Sequence, residues 1–451
     1  MKTHPAITML QVWAFCIVAF LVLPFELVNR TLTSWGMLML ALFITAFCAG
    51  GVVRSLQERA RGGTAAIKVD RYVGVDFRRA DRVLAAVALL SIVLLVLQIL
   101  QGNFLDLEEA WQTRSDRAIA VMTGSESESG LLFQISFLLY PAGFIILARE
   151  IVFRRTPNLI RLGLFGLAPI VLVSLVMGGR GPILYALVLV LVAFRVRGRL
   201  LATTRAPLLR RITPRGIFLA IAFGIVSLVA LNYFVNVFVV RAEGAGGVDA
   251  MFAIAESNWG VTFSGRGANF LFSTIGSGNT YLVFVFSWYL IQGLVMSNIL
   301  FTDYVGPPHY GVSGIELITA AMRRIDGESV QLMFADLLDL NTYGFFSSAF
   351  GSLFLDFRSF GFALSFIWGY LAALVFYKTR KAEDPRWFLI APFMVIGIFF
   401  SLINTPLGFS NGATTHLWMI AVFLLARPRI LSATASGLPG KFLGDQGEAR
   451  A

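Results

Sequence analysis

Charge is scarce in this chain. Of its 451 residues only 14% are charged, against roughly 25% in soluble domains, while 57% are hydrophobic and 41 are Phe. Such a composition excludes an ordinary soluble domain. Cysteine is scarcer still: Cys16 and Cys48 are the only two, both in apolar runs, which excludes a disulfide framework. The three histidines, His4, His309 and His416, are scattered. No His, Cys or carboxylate cluster has metal-ligand spacing, so no structural metal is expected.

What is present in quantity is long apolar runs. About 18 or more apolar residues with few charges read as a membrane span. Such runs fall near 7–28, 32–53, 83–101, 131–148, 162–178, 181–194, 216–239, 359–377, 387–404 and 411–426. The run at 280–301, TYLVFVFSWYLIQGLVMSNIL, is long enough to cross but is ambiguous. If it does cross, a compensating crossing near 344–357 is required. The first run resembles a secretory signal in length, yet no small-residue cleavage site follows it, and Pro24, Glu26 and Arg30 fit a retained anchor. The expectation is an all-α, polytopic helical membrane protein with about 10–12 transmembrane helices. Its parts are an amino-terminal set of spans over 1–240, one large outer loop region over 241–358, carboxy-terminal spans over 359–426, and a tail over 427–451.

Orientation follows from the Lys and Arg bias of the loops. With the amino terminus inside and 280–301 not crossing, the inner segments hold 28 of the 37 Lys and Arg but 9 of the 26 acids. Both termini are therefore expected in the cytoplasm. The pI of about 10.0 is a topology signal, and nucleic acid is not an expected partner. The loop 102–130, Ser-rich and acidic, reads as a solvated connector.

Few arginines remain on the outer side, and each invites a reason. Arg180 stands in MGGRGPILYA, where two apolar runs meet. From Leu162 to Met177 is a span of roughly 24 Å, and Pro182 to Phe194 is shorter still, against a hydrocarbon core of ~30 Å. The tip is therefore expected below the outer headgroups. Glycines let backbone N–H groups approach a ligand, a helix starting at Pro182 points its positive end there, and Arg supplies bidentate contacts to phosphate. The competing reading is a snorkelling residue in a tight hairpin.

Arg266 in SGRGANF is a second glycine-bracketed arginine. Arg241 closes the run NYFVNVFVVR, either as an interfacial anchor or as a site residue. In YVGPPHYGVSGIELITAAMRRI (304–325), GPPHYG is a turn. Ile315, Ile318, Met322 and Ile325 then share one helical stripe with Arg323 and Arg324 at its polar border, as in a helix lying on the membrane surface. In LNTYGFFSSAFGSLFLDFRSFGFALSFIWGY (340–370), Gly344, Ser347, Ser348, Gly351 and Ser352 permit close helix packing, and the spacing of Asp356 and Arg358 lets them pair with one another.

These stretches together resemble the Wzy-type O-antigen polymerases, the oligosaccharide repeat unit polymerases of bacterial surface polysaccharide pathways. The matching pieces are GGRGPIL at 178–184, the 304–325 segment, and NTYGFFSSAFGSLFLDF leading into a span. The family's Asp-Phe-Gly is here Asp356-Phe357-Arg358, with glycine only at Gly361. The resemblance covers about 180 residues. It implies a fold like that of the GT-C glycosyltransferases, a site on the periplasmic face of the bacterial inner membrane, and transfer of a growing glycan from undecaprenyl diphosphate to the next lipid-linked unit. It also implies no nucleotide sugar, no metal and no other cofactor, with membrane lipid, a chain-length regulator and a flippase as partners. Position by position it implies roles for Arg180, Arg324, Arg241 and the trio Asn341, Thr342 and Tyr343. Arg266 and His309 have no counterpart in it.

Cleaving a sugar–diphosphate bond places negative charge on a leaving group at headgroup depth, which fixed arginines can stabilise. Arg180, Arg324 and Arg241 are the expected catalytic cations. Arg266, Arg323, Asn341, Thr342, Tyr343, Tyr310 and Asp356 are expected to bind substrate. A base must take the acceptor's proton. His309, Glu256, Asp336 and Asp356 are candidates, with His309 preferred for its pKa. Trp259, Tyr281, Tyr304 and Tyr310 could stack on sugars. The rivals are an O-antigen ligase, which moves the chain onto lipid A core, and a flippase for lipid-linked sugars. A membrane scaffold is a third.

Overall fold

The computed structural model describes residues 3–28, 30–61, 72–101, 130–154, 156–177, 179–203, 214–381 and 384–430. The connector 102–129 and the tail 431–451 lie outside them. The protein is all-α apart from two short strand pairs. Among the described residues six helices are long and apolar enough to cross a membrane, so this is a helical membrane protein.

The chain runs through α1 (Pro5–Val22), β1 (Phe25–Leu27), α2 (Ser34–Arg61), β2 (Tyr72–Asp76), α3 (Arg78–Gln101), α4 (Leu131–Leu139), α5 (Ala142–Phe153) and α6 (Arg161–Val176). Next come α7 (Gly181–Thr203), α8 (Pro214–Gly244), α9 (Val248–Ile254), β3 (Val261–Phe263), α10 (Gly265–Asp303), α11 (Glu316–Ile325) and α12 (Gly327–Asp339). The chain closes with α13 (Ser348–Phe357), α14 (Phe360–Lys381), α15 (Trp387–Phe399), α16 (Gly412–Leu425) and β4 (Arg427–Ile430). Glycine draws the tightest pair together. A Cβ on Gly369 of α14 would stand 1.9 Å from the Phe47 carbonyl oxygen of α2, and one on Gly50 2.0 Å from that of Phe366.

Helix-end contacts sort the loops into two groups. At one end His4 meets Ser55 (3.0 Å), Lys381 meets Glu58 (2.7 Å), Arg197 donates to the Ile151 carbonyl (3.2 Å), Arg386 donates to that of Ala426 (3.2 Å), and Arg149 meets Asp81 (2.6 Å). At the other end β1 pairs with β3, and the Thr33 N–H donates to Asn298 (2.9 Å). The first end is basic. The second carries Arg180 and the charged loop region.

The ambiguous run 280–301 lies within α10, which bends at Gly276 (φ 78°, ψ 169°). By length and composition α10 can cross, and its second half packs on the connection between α1 and α2. Phe284 and Trp288 pack on Phe25 (ring centroids 5.5 and 6.2 Å), the Cys16 thiol donates to the Leu290 carbonyl, and Asn298 donates to that of Thr33 (3.1 Å). Phe301 stacks on Phe43 at 5.6 Å. Phe25 and Thr33 lie in the connection between α1 and α2, and Cys16 and Phe43 lie in the halves of those helices nearest it. Helix α13 has 10 residues, roughly 15 Å, and makes no second crossing. It is the packing element its small residues suggested: Ser297 Oγ meets Ser348 Oγ at 2.6 Å, and a Cβ on Gly351 would come within 2.8 Å of Ser297.

One expectation is corrected. The arm after Arg180 is not short, since α7 has 23 residues, roughly 34 Å. Arg195, Arg197 and Arg199 continue the helix beyond its apolar part. Only the preceding arm, α6, is short.

Candidate functional site

The loop between α6 and α7 is fixed by its own backbone. The Gly179 N–H donates to the Ser174 carbonyl (3.0 Å), and Leu184 donates to the carbonyl of Arg180 (3.0 Å), so Arg180 opens α7. Its side chain is only 9% exposed. The guanidinium carbon lies 3.7 Å from the centroid of the Phe238 ring, and Nη2 donates to the Tyr289 hydroxyl at 3.1 Å. A cation on an aromatic face gains about 2 kcal/mol or more when desolvated. The next residue, Gly181, abuts another loop: a Cβ there would stand 3.2 Å from Ser410 Oγ and 3.7 Å from the Phe409 ring.

That second loop, between α15 and α16, joins Arg180 to the large loop region. Ser410 and Asn411 both take left-handed backbone (φ 52° and 56°), which is costly without glycine. The Asn411 N–H donates to Glu316 Oε2 at 3.0 Å, and Thr405 donates to the Gly314 carbonyl at 3.2 Å. Glu316 and residues 404–411 were missed as site residues. The signal was present in NTPLGFSNG, a turn-rich run between two apolar segments like the one around Arg180.

His309 is 0% exposed. Tyr304 donates its hydroxyl proton to the Pro307 carbonyl (2.6 Å), so His309 Nε2–H donates to Tyr304 Oη (2.7 Å) and Nδ1 accepts from Ser313 (2.5 Å). Burial, with the nearby Arg358 charge, holds this imidazole down at about 4. It is a neutral strut of the loop, and the expectation of an accessible base at His309 is corrected.

Asp356, 1% exposed, accepts from the N–H groups of Ser313 (3.0 Å) and Gly314 (2.8 Å). Burial raises its carboxyl to about 6, against the pull of those donors and of the Gly311 N–H. Arg358 turns the other way: Nη1 donates to the Tyr304 carbonyl (3.0 Å), and the guanidinium stacks 4.0 Å from the Tyr304 ring centroid. No ion pair joins Asp356 to Arg358 among the described residues, so the expected pairing is corrected. Together they clamp the two ends of loop 304–314, and Asp356 is a holding residue. Arg358 itself has φ 51°, a conformation that favours glycine.

Tyr310 (φ 51°) is 68% exposed at the tip of that loop. Arg323 and Arg324 are exposed in the last turn of α11. Arg323 lies 5.6 Å from the Phe334 ring, which is edge-on to Tyr343 at 5.4 Å. Ile318 and Met322 pack inward as the stripe requires, but Ile325 is 78% exposed. In the trio, Asn341 is exposed at the end of α12, whereas Thr342 is buried with its hydroxyl on the Leu337 carbonyl (3.2 Å). Thr342 therefore fixes the turn. Arg266 is exposed in the first turn of α10, apart from these contacts, where Gly267 packs on Pro24. Arg241 lies in α8, and its side chain is outside the described residues. Glu256 is exposed after α9, and Asp336 Oδ2 lies near Gly306.

Comparison with protein-family models, with curated proteins and with solved structures finds no match.

Proposed function

We propose that this chain is an integral-membrane glycosyltransferase of the GT-C type, polymerising lipid-linked oligosaccharide repeat units at the periplasmic face of the bacterial inner membrane. The observation that carries the reading is the seat of Arg180. A permanent cation opens a helix, is backed by Phe238 and Tyr289, and is bordered by the loop that holds Gly314 and Glu316. The basic loops gather at the opposite end of the bundle, which the positive-inside bias assigns to the cytoplasm. In this reading Arg180 meets an outer-leaflet headgroup.

In this reading the diphosphate of the donor meets Arg180 and the amino-terminal dipole of α7. The acceptor hydroxyl attacks the anomeric carbon, the sugar–phosphate bond breaks, and the charge that appears on the leaving diphosphate is met by a cation already in place. Tyr289 holds that cation in one orientation. Loop 304–314, braced by His309, Asp356 and Arg358, presents Tyr310 on the same end of the molecule.

The test supplies purified protein with undecaprenyl-diphosphate-linked repeat units alone. A ladder of longer lipid-linked products, lost in Arg180→Ala, supports the reading. Turnover that requires a lipid A core acceptor marks a ligase. In cells, accumulation of units on the inner leaflet of the Arg180→Ala strain marks a transporter.

A further inference from the structure

Resting on that reading, we infer that Glu316 is the group that accepts the proton of the attacking hydroxyl. Three observations carry it. Glu316 is exposed in the first turn of α11, so a substrate can reach it. Its Oε2 is aimed by the Asn411 N–H at 3.0 Å, a donor held in left-handed backbone at φ 56°. Asn411 follows Ser410, whose hydroxyl abuts Gly181, the residue beside Arg180. The loop 404–411 thus holds the Glu316 carboxylate and also borders the backbone from which Arg180 projects, and transfer from a diphosphate needs a proton acceptor and a cation together.

The other candidate bases are placed differently. His309 is enclosed with both ring nitrogens engaged. Asp356 is enclosed and turned onto backbone N–H groups. Asp336 lies against Gly306, and Glu256 follows α9, before β3.

The step balances. The acceptor O–H gives its proton to the Glu316 carboxylate as oxygen bonds to the anomeric carbon. The carbon–oxygen bond to diphosphate breaks, its electron pair leaving with the lipid diphosphate. Glu316 then returns the proton to solvent.

The experiment compares wild type, Glu316→Gln and Glu316→Ala on undecaprenyl-diphosphate-linked repeat units, with thermal unfolding and undecaprenyl diphosphate binding measured alongside. The expected result is turnover lowered about 100-fold or more in Glu316→Gln, with kcat falling, KM and diphosphate binding held, and formate restoring part of the Glu316→Ala rate. Turnover of Glu316→Gln within about threefold of wild type overturns the inference and leaves the polymerase reading standing. If Glu316→Gln loses thermal stability as well as turnover, formate decides: rescue supports the inference and its absence overturns it. Wild type that forms no ladder overturns the polymerase reading, and this inference with it.

Discussion

The guanidinium of Arg180 donates to the hydroxyl of Tyr289 at 3.1 Å, across 109 positions of sequence. The contact ties the loop between α6 and α7 to α10, and it fixes the direction of a buried charge at the proposed diphosphate seat.

Removing that hydroxyl in Tyr289→Phe leaves the ring and takes away only the orienting bond. A hydrogen bond to a charged group contributes about 1.5–3 kcal/mol, so polymerisation is expected to fall about tenfold or more with little change in thermal unfolding. Arg180→Lys is expected to be nearly as damaging as Arg180→Ala, because an ammonium cannot keep both the aromatic seat and a bidentate phosphate contact. Product ladders from purified variants check both.

Loop 304–314 carries two opposed titrations. Asp356 holds its proton to about 6 in the folded protein against 3.8 unfolded, so its stabilisation is full below 3.8 and is lost as pH rises through 6. His309 falls to about 4 from 6.5, so its contribution is full above 6.5 and is lost as pH falls through 4. Each transition spans on the order of 3 kcal/mol, and the two have opposite signs between pH 4 and 6. Relative to wild type, Asp356→Asn is expected to lose protection of the loop amides as pH falls through this window. His309→Gln is expected to gain it. Hydrogen exchange of residues 304–314 reads both.

Close packing of α2 on α14 sets a third expectation. Gly369→Ala drives a methyl to 1.9 Å from the Phe47 carbonyl oxygen, and overpacking of this kind costs about 1–3 kcal/mol or more. Gly198→Ala, with nothing within 4 Å, is expected to be neutral or stabilising by about 0.5–1 kcal/mol. Thermal unfolding in detergent separates them.

The course of α10 is checked by single cysteines. Asn269→Cys and Ser329→Cys are expected to label from the same side of the membrane, and Arg59→Cys from the other. Labelling of Ser329→Cys together with Arg59→Cys would show that α10 crosses.

Much of the architecture was legible before any tertiary contact. Each of the ten apolar runs falls on helix, though 7–28 ends early at Val22, 32–53 runs on to Arg61 and 131–148 is split in two, and the stripe over Ile318 and Met322 became α11, because a lipid solvent demands long helices and an interface demands one apolar face. The run at 181–194 was read too short, since hydropathy stops at Arg195 whereas hydrogen bonding does not. The site was legible only in part. Arg180 stood out as a charge between apolar runs, but Tyr289, Phe238, Asn411 and Glu316 carry no local mark of their partnership with its loop.

What the sequence by itself determined is therefore the class of molecule, the sorting of basic and acidic loops to two ends, and the arginine at the hairpin. These follow from short-range facts: hydropathy, loop charge and glycine spacing. Only the tertiary structure decided that 280–301 packs on the connection between α1 and α2, that His309 and Asp356 brace a loop from within, and that Arg358 turns away from Asp356. Those outcomes depend on which groups are desolvated together, and a side chain's partners across a hundred residues are set by packing and not by its neighbours in the chain.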